Sequence, residues 1–378
     1  MLFSEVIGQQ SVKQHLMEIA RSGQIPHSQL FLAQPGAGGL PLALAFSQYI
    51  VCENKGETDS CGTCNACIKA QKLIHPDIHY SYPVINKNPS HKSPQTSIDY
   101  LKEFREVSLN QPYIDELEWL QYIGAENKQG NITADEARNI IKGLSLTTFE
   151  ADYKIQIIWM AEALAKEGNI LLKLLEEPPA KTVLILIAEN QEEILPTILS
   201  RCQLVKINKI DDTSVAEALL RKGIPRENAT HIAYLADGNY NEAVKLTEAS
   251  SSIDTIRLTH FFRYAIRIHE STNAGSLLKW TEEMSKIGRE NLKSFLEYLL
   301  HIVRETVQAK YVSSSAAKLT EEEVVISKAL DKYISLHKLS KMMELINQKH
   351  YEIERNVSPK FVLMDMSLKM NQILWAKD

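Results

Sequence analysis

The chain has few cysteines, no long apolar run and no surplus of positive charge, and each shortage removes a class of protein. No stretch reaches the roughly 18 to 20 apolar residues that a membrane-spanning helix needs, so no membrane partner is expected. Lys and Arg total 42 against 47 Asp and Glu, a formal charge of −5. That balance argues against a dedicated nucleic-acid coat, which is normally basic, and leaves room only for a local basic patch. The opening "MLFSEVIGQQ" has neither the basic nor the apolar region of a secretory signal. The cytosol is therefore the expected compartment, where the sequon at Asn131-Ile132-Thr133 carries no meaning. At 378 residues, with 44% hydrophobic and 24% charged residues, the chain reads as an ordinary folded protein of two or three domains.

A second shortage lies in "LFLAQPGAGGLPLALAFSQYI", residues 30–50. An apolar strand, a Gly-rich turn and an apolar helix give it the outline of a phosphate-binding loop, G-x-x-x-x-G-K-[ST]. In that register Ala33 takes the first Gly, Gly38 the second, Gly39 replaces the Lys and Leu40 replaces the Ser/Thr. The frame formed by Gly36, Gly38, Gly39 and Leu40 is present, but the phosphate cation and the Mg²⁺-ligating hydroxyl are missing. A Gly-rich loop at a helix start can still attract an anion through backbone N–H groups, so weak phosphate binding stays open while hydrolysis does not.

The five cysteines are unevenly placed. Cys52, Cys61, Cys64 and Cys67 fall within sixteen residues, and Cys202 stands alone. In a reducing compartment such crowding reads as metal binding rather than disulfides. The spacing C-x8-C-x2-C-x2-C lets pairs of sulfurs reach one ion from tight turns, one of them containing Gly62. Four thiolates around Zn²⁺ make a closed structural site with no position for a reactive water; free thiols in a loop are the alternative.

Elsewhere the pattern alternates. Helices are expected over residues 9–22, 41–51 and 134 onward, the last capped by Thr133. Buried strands are expected at 30–32, 78–84, 154–160 and 182–188, and "NILLKLLEEPP" reads as a helix stopped by Pro178 and Pro179. Residues 85–98 read as an exposed, mobile loop. Continuous apolar strands between helices signal a parallel sheet covered on both faces. From residue 210 the strands stop; 290–309 place Leu292, Phe295, Leu296, Leu299, Ile302 and Val303 on one helical stripe.

"HSQLFLAQPGAGG", the cysteine spacing, "NILLKLLEEPP", "ILSRCQ" and, near the end, "NVSPKFVLMD" together resemble the bacterial clamp-loader branch of the AAA+ ATPases, part of DNA polymerase III. The resemblance covers the first ~250 residues well. It implies an α/β AAA+ core at 1–206 with a zinc module at 52–67, a small helical lid domain at 207–250 and an all-helical collar domain at 251–378 that oligomerises. It also implies that Ser200-Arg201-Cys202 matches a trans-acting arginine motif, in which the Arg enters the ATP site of the neighbouring subunit. Catalytic residues are otherwise lost: Glu162 alone stands near the expected Asp-Glu pair, and Asn241 occupies the place of the lid arginine. The pattern is similar to the delta-prime type of subunit, which holds no ATP of its own and is no enzyme by itself. The implied partners are gamma/tau-type and delta-type subunits, the sliding clamp and primed DNA. An active gamma/tau-type ATPase and a zinc-containing DNA-binding module are the competing readings. His75 and Asp77 in "IHPDIHY" read as structural, and Glu176-Glu177 as a solvated helix end.

Overall fold

Strands form where apolar and β-branched residues run without interruption, and five such runs make one parallel sheet. In this computed structural model they are β1 (Ser28–Ala33), β2 (Ile78–Ser81), β3 (Lys154–Trp159), β4 (Thr182–Ala188) and β5 (Gln203–Ile207), ordered β2-β3-β4-β1-β5. The structure describes residues 1–85, 95–125, 129–248, 251–266, 271–311, 319, 321–330, 333, 335–355 and 357–376. The chain divides into two compact units, 1–244 and 245–378.

Alternate side chains of the buried strands feed two separate cores in the first unit, as a sheet covered on both faces requires. One face carries Phe31, Ile155, Ile157, Val183, Ile185 and Ile187 against α1 (Gln10–Arg21) and α2 (Gly39–Val51). The other carries Leu30, Ile158, Leu184 and Leu186, which meet Ile140 and Leu144 of α6 (Ala134–Ser145) and Leu174 and Leu175 of α7 (Leu172–Glu176). Thr133 caps α6 as expected, its side chain accepting the Glu136 N–H.

The elements between β2 and α6 are α3's sequel: α3 (Asn65–Gln71) precedes β2, and α4 (Leu101–Asn110) and α5 (Glu116–Tyr122) follow it. An aromatic cluster docks the pair on the sheet edge. Tyr82 stacks on Phe104 at 3.9 Å, Trp119 stands edge-on to both, and the Trp119 indole N–H donates to Pro83 O at 2.7 Å. The unit closes with α8 (Pro196–Leu199), then β5, α9 (Asp212–Arg221), α10 (Arg226–Leu235) and the start of α11 (Tyr240–Glu248).

Three local expectations change. The strand expected over 78–84 stops at Ser81, Val84 joining only an isolated bridge to Asn131. The helix expected across "NILLKLLEE" is regular only over α7, because the preceding 3₁₀ segment Ala161–Leu171 is broken at Ala165 (φ 42°, ψ −130°). The loop expected to be exposed from 85 to 98 has buried ends: Ile85 and Ser97 are enclosed, and Ser97 Oγ accepts the Tyr82 N–H. Its middle, 86–94, lies outside the described residues.

The second unit is helical throughout its described residues: α12 (Ser251–Ile266), α13 (Ser271–Met284), α14 (Arg289–Tyr311), α15 (Glu321–Leu330), α16 (Leu336–Glu354) and α17 (Pro359–Trp375). The stripe on α14 from Leu292 to Val303 is buried as its spacing requires. Lys349 is almost fully buried there and pairs with Glu352 and Asp365. No helix among the described residues is long and apolar enough to cross a membrane.

Candidate functional site

The Gly-rich loop follows β1 and enters α2 at Gly38, whose φ of 99° suits only glycine. The loop is filled from within its own unit. The turn between α4 and α5 lays Tyr113 against it: a Cβ added at Gly38 would lie 3.2 Å from the Tyr113 ring, and the Tyr113 hydroxyl accepts the Ile7 N–H at 2.8 Å. Tyr113 also meets Tyr240 edge-on at 4.9 Å. The start of α11 closes the opposite side. The Tyr240 N–H donates to Gly36 O at 3.1 Å, and Asn239 Oδ1 sits 1.8 Å from where a Gly36 Cβ would stand. The Gln9 amide donates to Ala37 O. A cavity of about 20 Å³ remains, room for a water, whereas small-molecule ligands occupy clefts on the order of several hundred Å³.

Positions 39 and 40 sit in apolar packing. Leu40 is buried, and a Cβ at Gly39 would lie 2.9 Å from Ile187 Cγ2 and 3.0 Å from Ala33. The surroundings are rich in carboxyl groups and poor in cations. Among the described residues lining the cavity none is Lys or Arg, while Glu189 is one of them. Burial, then the nearby Glu162, Asp115 and Glu116 carboxylates, push Glu189 up to about 8. Glu116 is likewise raised, by burial first and then by Glu162, Glu193 and Asp115. Glu162 accepts the backbone N–H groups of Glu189 (2.5 Å) and Asn190 (2.8 Å), tying together the chain just beyond β3 and β4. Asn241 donates to Asp115 (3.2 Å) and Glu118 (2.7 Å) at the start of α5.

Ser200, Arg201 and Cys202 lie at the other end of the sheet. Strand β5 is parallel to β1 with Gln29 opposite Gln203 and Ala33 opposite Ile207. The loop leaves the far end of β1 while Arg201 precedes the near end of β5, a separation of about 20 Å at ~3.3 Å per residue. Arg201 is a surface side chain, 31% exposed. Its Nε donates to Glu176 Oε1 at 2.6 Å, Nη2 faces the same oxygen, and Nη1 donates to Thr197 O (2.8 Å) and Ser200 Oγ (3.2 Å). Glu176 is thus more than the solvated helix end its sequence suggests. Cys202 is half-buried against the α6 and α7 face, and burial pushes its thiol up to about 11, so it stays protonated at neutral pH.

The four clustered cysteines converge. Their sulfurs all lie within 4.8 Å of one another, and all five cysteines are free thiols. Backbone N–H groups already point at the sulfurs: Cys61 to Cys52 (3.3 Å), Cys64 to Cys61 (3.3 Å) and Cys67 to Cys64 (3.4 Å). The N–H groups of Thr63 and Cys64 lower the Cys61 thiol to about 6, while burial raises Cys52 and Cys67. A tetrahedron with 2.3 Å zinc–sulfur bonds has edges of about 3.8 Å; Cys61 and Cys67 stand 3.9 Å apart. The donor set and spacing fit a zinc ion. Gly62 makes the intervening turn at φ 72°. Nearby, Asp77 accepts the N–H groups of Phe149, Glu150 and Ala151, and His75 is enclosed, with burial lowering its pKa. These contacts fasten a loop to β2.

Sequence reasoning missed Tyr113, Asn239, Tyr240, Glu189 and the pairing of Glu176. Tyr113 follows Pro112 in "NQPYID", a turn signal, but nothing local says that the turn closes a loop more than seventy residues earlier.

Comparison with known proteins agrees with this geometry at the level of family. The family model described as "DNA polymerase III, delta subunit" matches residues 8–211. A DNA polymerase III subunit delta' of Bacillus subtilis is 25% identical over 59% of this chain and 54% of its own, and that of Escherichia coli is 28% identical over 49% and 43%. A DNA polymerase III subunit tau of Bacillus subtilis is 22% identical over 95% of this chain and 59% of its own. The chain spans about half the length of the curated relatives it matches. Among solved structures, a gamma subunit-related protein of Thermotoga maritima aligns over 95% of this chain and 99% of its own with 13% identity and a TM-score of 0.40, at which distance the superposition carries no argument. With more than half of its length matched by the family model, the chain belongs to the DNA polymerase III delta-subunit family of clamp-loader proteins.

Proposed function

We propose that this chain is a non-hydrolysing scaffold subunit of the replicative clamp loader, acting in the cytosol and donating Arg201 in trans to the ATP site of a neighbouring gamma/tau-type subunit. The observation that carries the reading is the opposition of the two ends of β1 and β5. The chain's own loop is occupied by Tyr113, Asn239 and Tyr240, and its surface arginine lies about 20 Å from that loop along the strands. An arginine so placed cannot serve its own loop and can serve another protein's. Ser200 and Cys202 act as flanks, one as a hydrogen-bond partner and the other as packing. A guanidinium that stays charged and presents a fixed fork of donors suits charge developing on a transferred phosphoryl group, an effect worth 10³ to 10⁵ in rate in GTPase systems. The work served is the loading of a sliding clamp on primed DNA, together with a delta-type subunit. Helices α12–α17 supply the oligomerising collar, and Phe361, Leu368 and Trp375 form an exposed apolar stripe on α17 suited to that role.

Cys52, Cys61, Cys64 and Cys67 would hold one structural zinc. A closed four-thiolate set leaves no reactive position, and its effect is to pin the end of α2 to the start of α3. Elemental analysis is expected to find one zinc per chain, and Cys64→Ser to lose it; a metal-free, fully folded preparation would reject the site.

The test of the main reading is reconstitution with partner subunits. ATP turnover by the complex is expected to collapse with Arg201→Ala, and the isolated chain is expected to neither bind nor hydrolyse ATP. The match to tau over most of the chain favours the alternative of an active ATPase; turnover by the isolated chain would establish it.

A further inference from the structure

Glu176 has no place in the reading above, yet it receives two donors, Nε and Nη2, from one edge of the guanidinium. Several features hold it there. Leu174 and Leu175 are buried under the sheet and fix α7. Gly168 permits the close approach of the preceding segment to α8, since a Cβ there would lie 2.7 Å from Ile198. The end of α7 is thereby set beside the residues that follow α8. Glu176 is 48% exposed and Arg201 31%, so both stay accessible to a third group. The Arg201 Nε and Nη2 are committed to one carboxylate oxygen and Nη1 to Thr197 O and Ser200 Oγ. The Nε–Nη2 edge, which would grip a phosphate, is therefore already engaged.

We propose that Glu176 is a positioning residue: the resident counter-ion of Arg201, which holds the guanidinium until a neighbour's bound nucleotide displaces it. The proposal rests on the trans-arginine reading. An exposed ion pair holds its partners by a factor of about five at most, so the contact yields to a polyphosphate while still taxing its binding. When only the released fraction is competent, apparent affinity falls by that fraction. Glu176 therefore raises the nucleotide concentration needed for half-saturation and leaves the turnover step, in which Arg201 has already moved, unaltered.

The experiment is ATP saturation of the reconstituted complex containing Glu176→Gln, Glu176→Lys, Arg201→Ala or Glu176→Gln combined with Arg201→Ala. Glu176→Gln is expected to lower KM for ATP about two- to fivefold at unchanged kcat. Glu176→Lys, which repels the guanidinium, is expected to lower it at least as much. The double variant is expected to match Arg201→Ala. A KM that stays the same or rises in both single Glu176 variants, while Arg201→Ala is inactive, overturns the counter-ion role alone. Full activity of Arg201→Ala overturns the trans-arginine reading and the counter-ion role with it.

Discussion

The two ends of the β1–β5 strand pair have been built in opposite ways. At the loop end, no lysine or arginine lines the cavity among the described residues, and the space is taken by Tyr113, Asn239 and Tyr240 with carboxyl groups behind them. At the Arg201 end, a cation stands at the surface and is held by contacts that solvent can reach. The loop end is closed by packing. A lysine restored at position 39 would start 2.9 Å from Ile187 Cγ2, and a threonine at 40 would replace a buried leucine. Reversal thus needs several simultaneous changes. The arginine end is the converse, a single surface side chain that packing barely uses.

The largest expected effect falls at the open end. Arg201→Ala should lower kcat of the assembled ATPase by about 10³ or more. It should move the stability of this chain by no more than about 0.5 to 1 kcal/mol, because exposed pairs contribute little. Urea denaturation of the isolated chain beside turnover of the complex measures both. A variant that lost stability and kept turnover would invert the comparison.

At the closed end the pattern should reverse, with stability affected and no chemistry gained. Tyr113→Ala removes a buried ring touching Gly38, Tyr240 and the Ile7 amide; truncating a buried aromatic costs about 3 to 5 kcal/mol. The opened space should still reject ATP, since Gly39 and Leu40 still supply neither a phosphate-binding cation nor a Mg²⁺-ligating hydroxyl. Calorimetric titration with Mg-ATP checks this, and micromolar binding would break the contrast by making Tyr113 the sole obstacle.

What could be read from the sequence divides along the same line. The strands at 154–159 and 182–188 announced themselves as unbroken apolar runs, and four thiols at turn spacing had few other uses. The Ser200-Arg201-Cys202 motif stood out by resemblance, and the unusual loop by the residues at 39 and 40. The plug was hidden because Tyr113 reaches the loop only through the docking of α4 and α5, which depends on Tyr82, Phe104 and Trp119 meeting across the sheet edge. The partner of Arg201 was hidden because Glu176 lies 25 residues away and looks like any acidic helix end. Side chains that fill space or pair across elements leave no periodic trace.

The smallest expected effect separates the two ends by pH. Glu189 is held up to about 8 in the folded chain against about 4.3 for an unperturbed glutamate. Between those values the folded state carries a proton that the unfolded state has released. Stability from this group is therefore complete below about pH 4.3 and declines as pH rises, by up to about 1.4 kcal/mol per unit, levelling off above pH 8. Glu189→Gln has no proton to lose. It should match the wild type below about pH 4.3 and exceed it increasingly as pH rises toward about 8. A shallower slope of the same sign should survive in the variant, because Glu116 is also raised. Arg201→Ala changes the opposite end of the strands and should show no such divergence. Parallel curves for Glu189→Gln and wild type would mean that Glu189 is ionised throughout and that the closed end tolerates its charge.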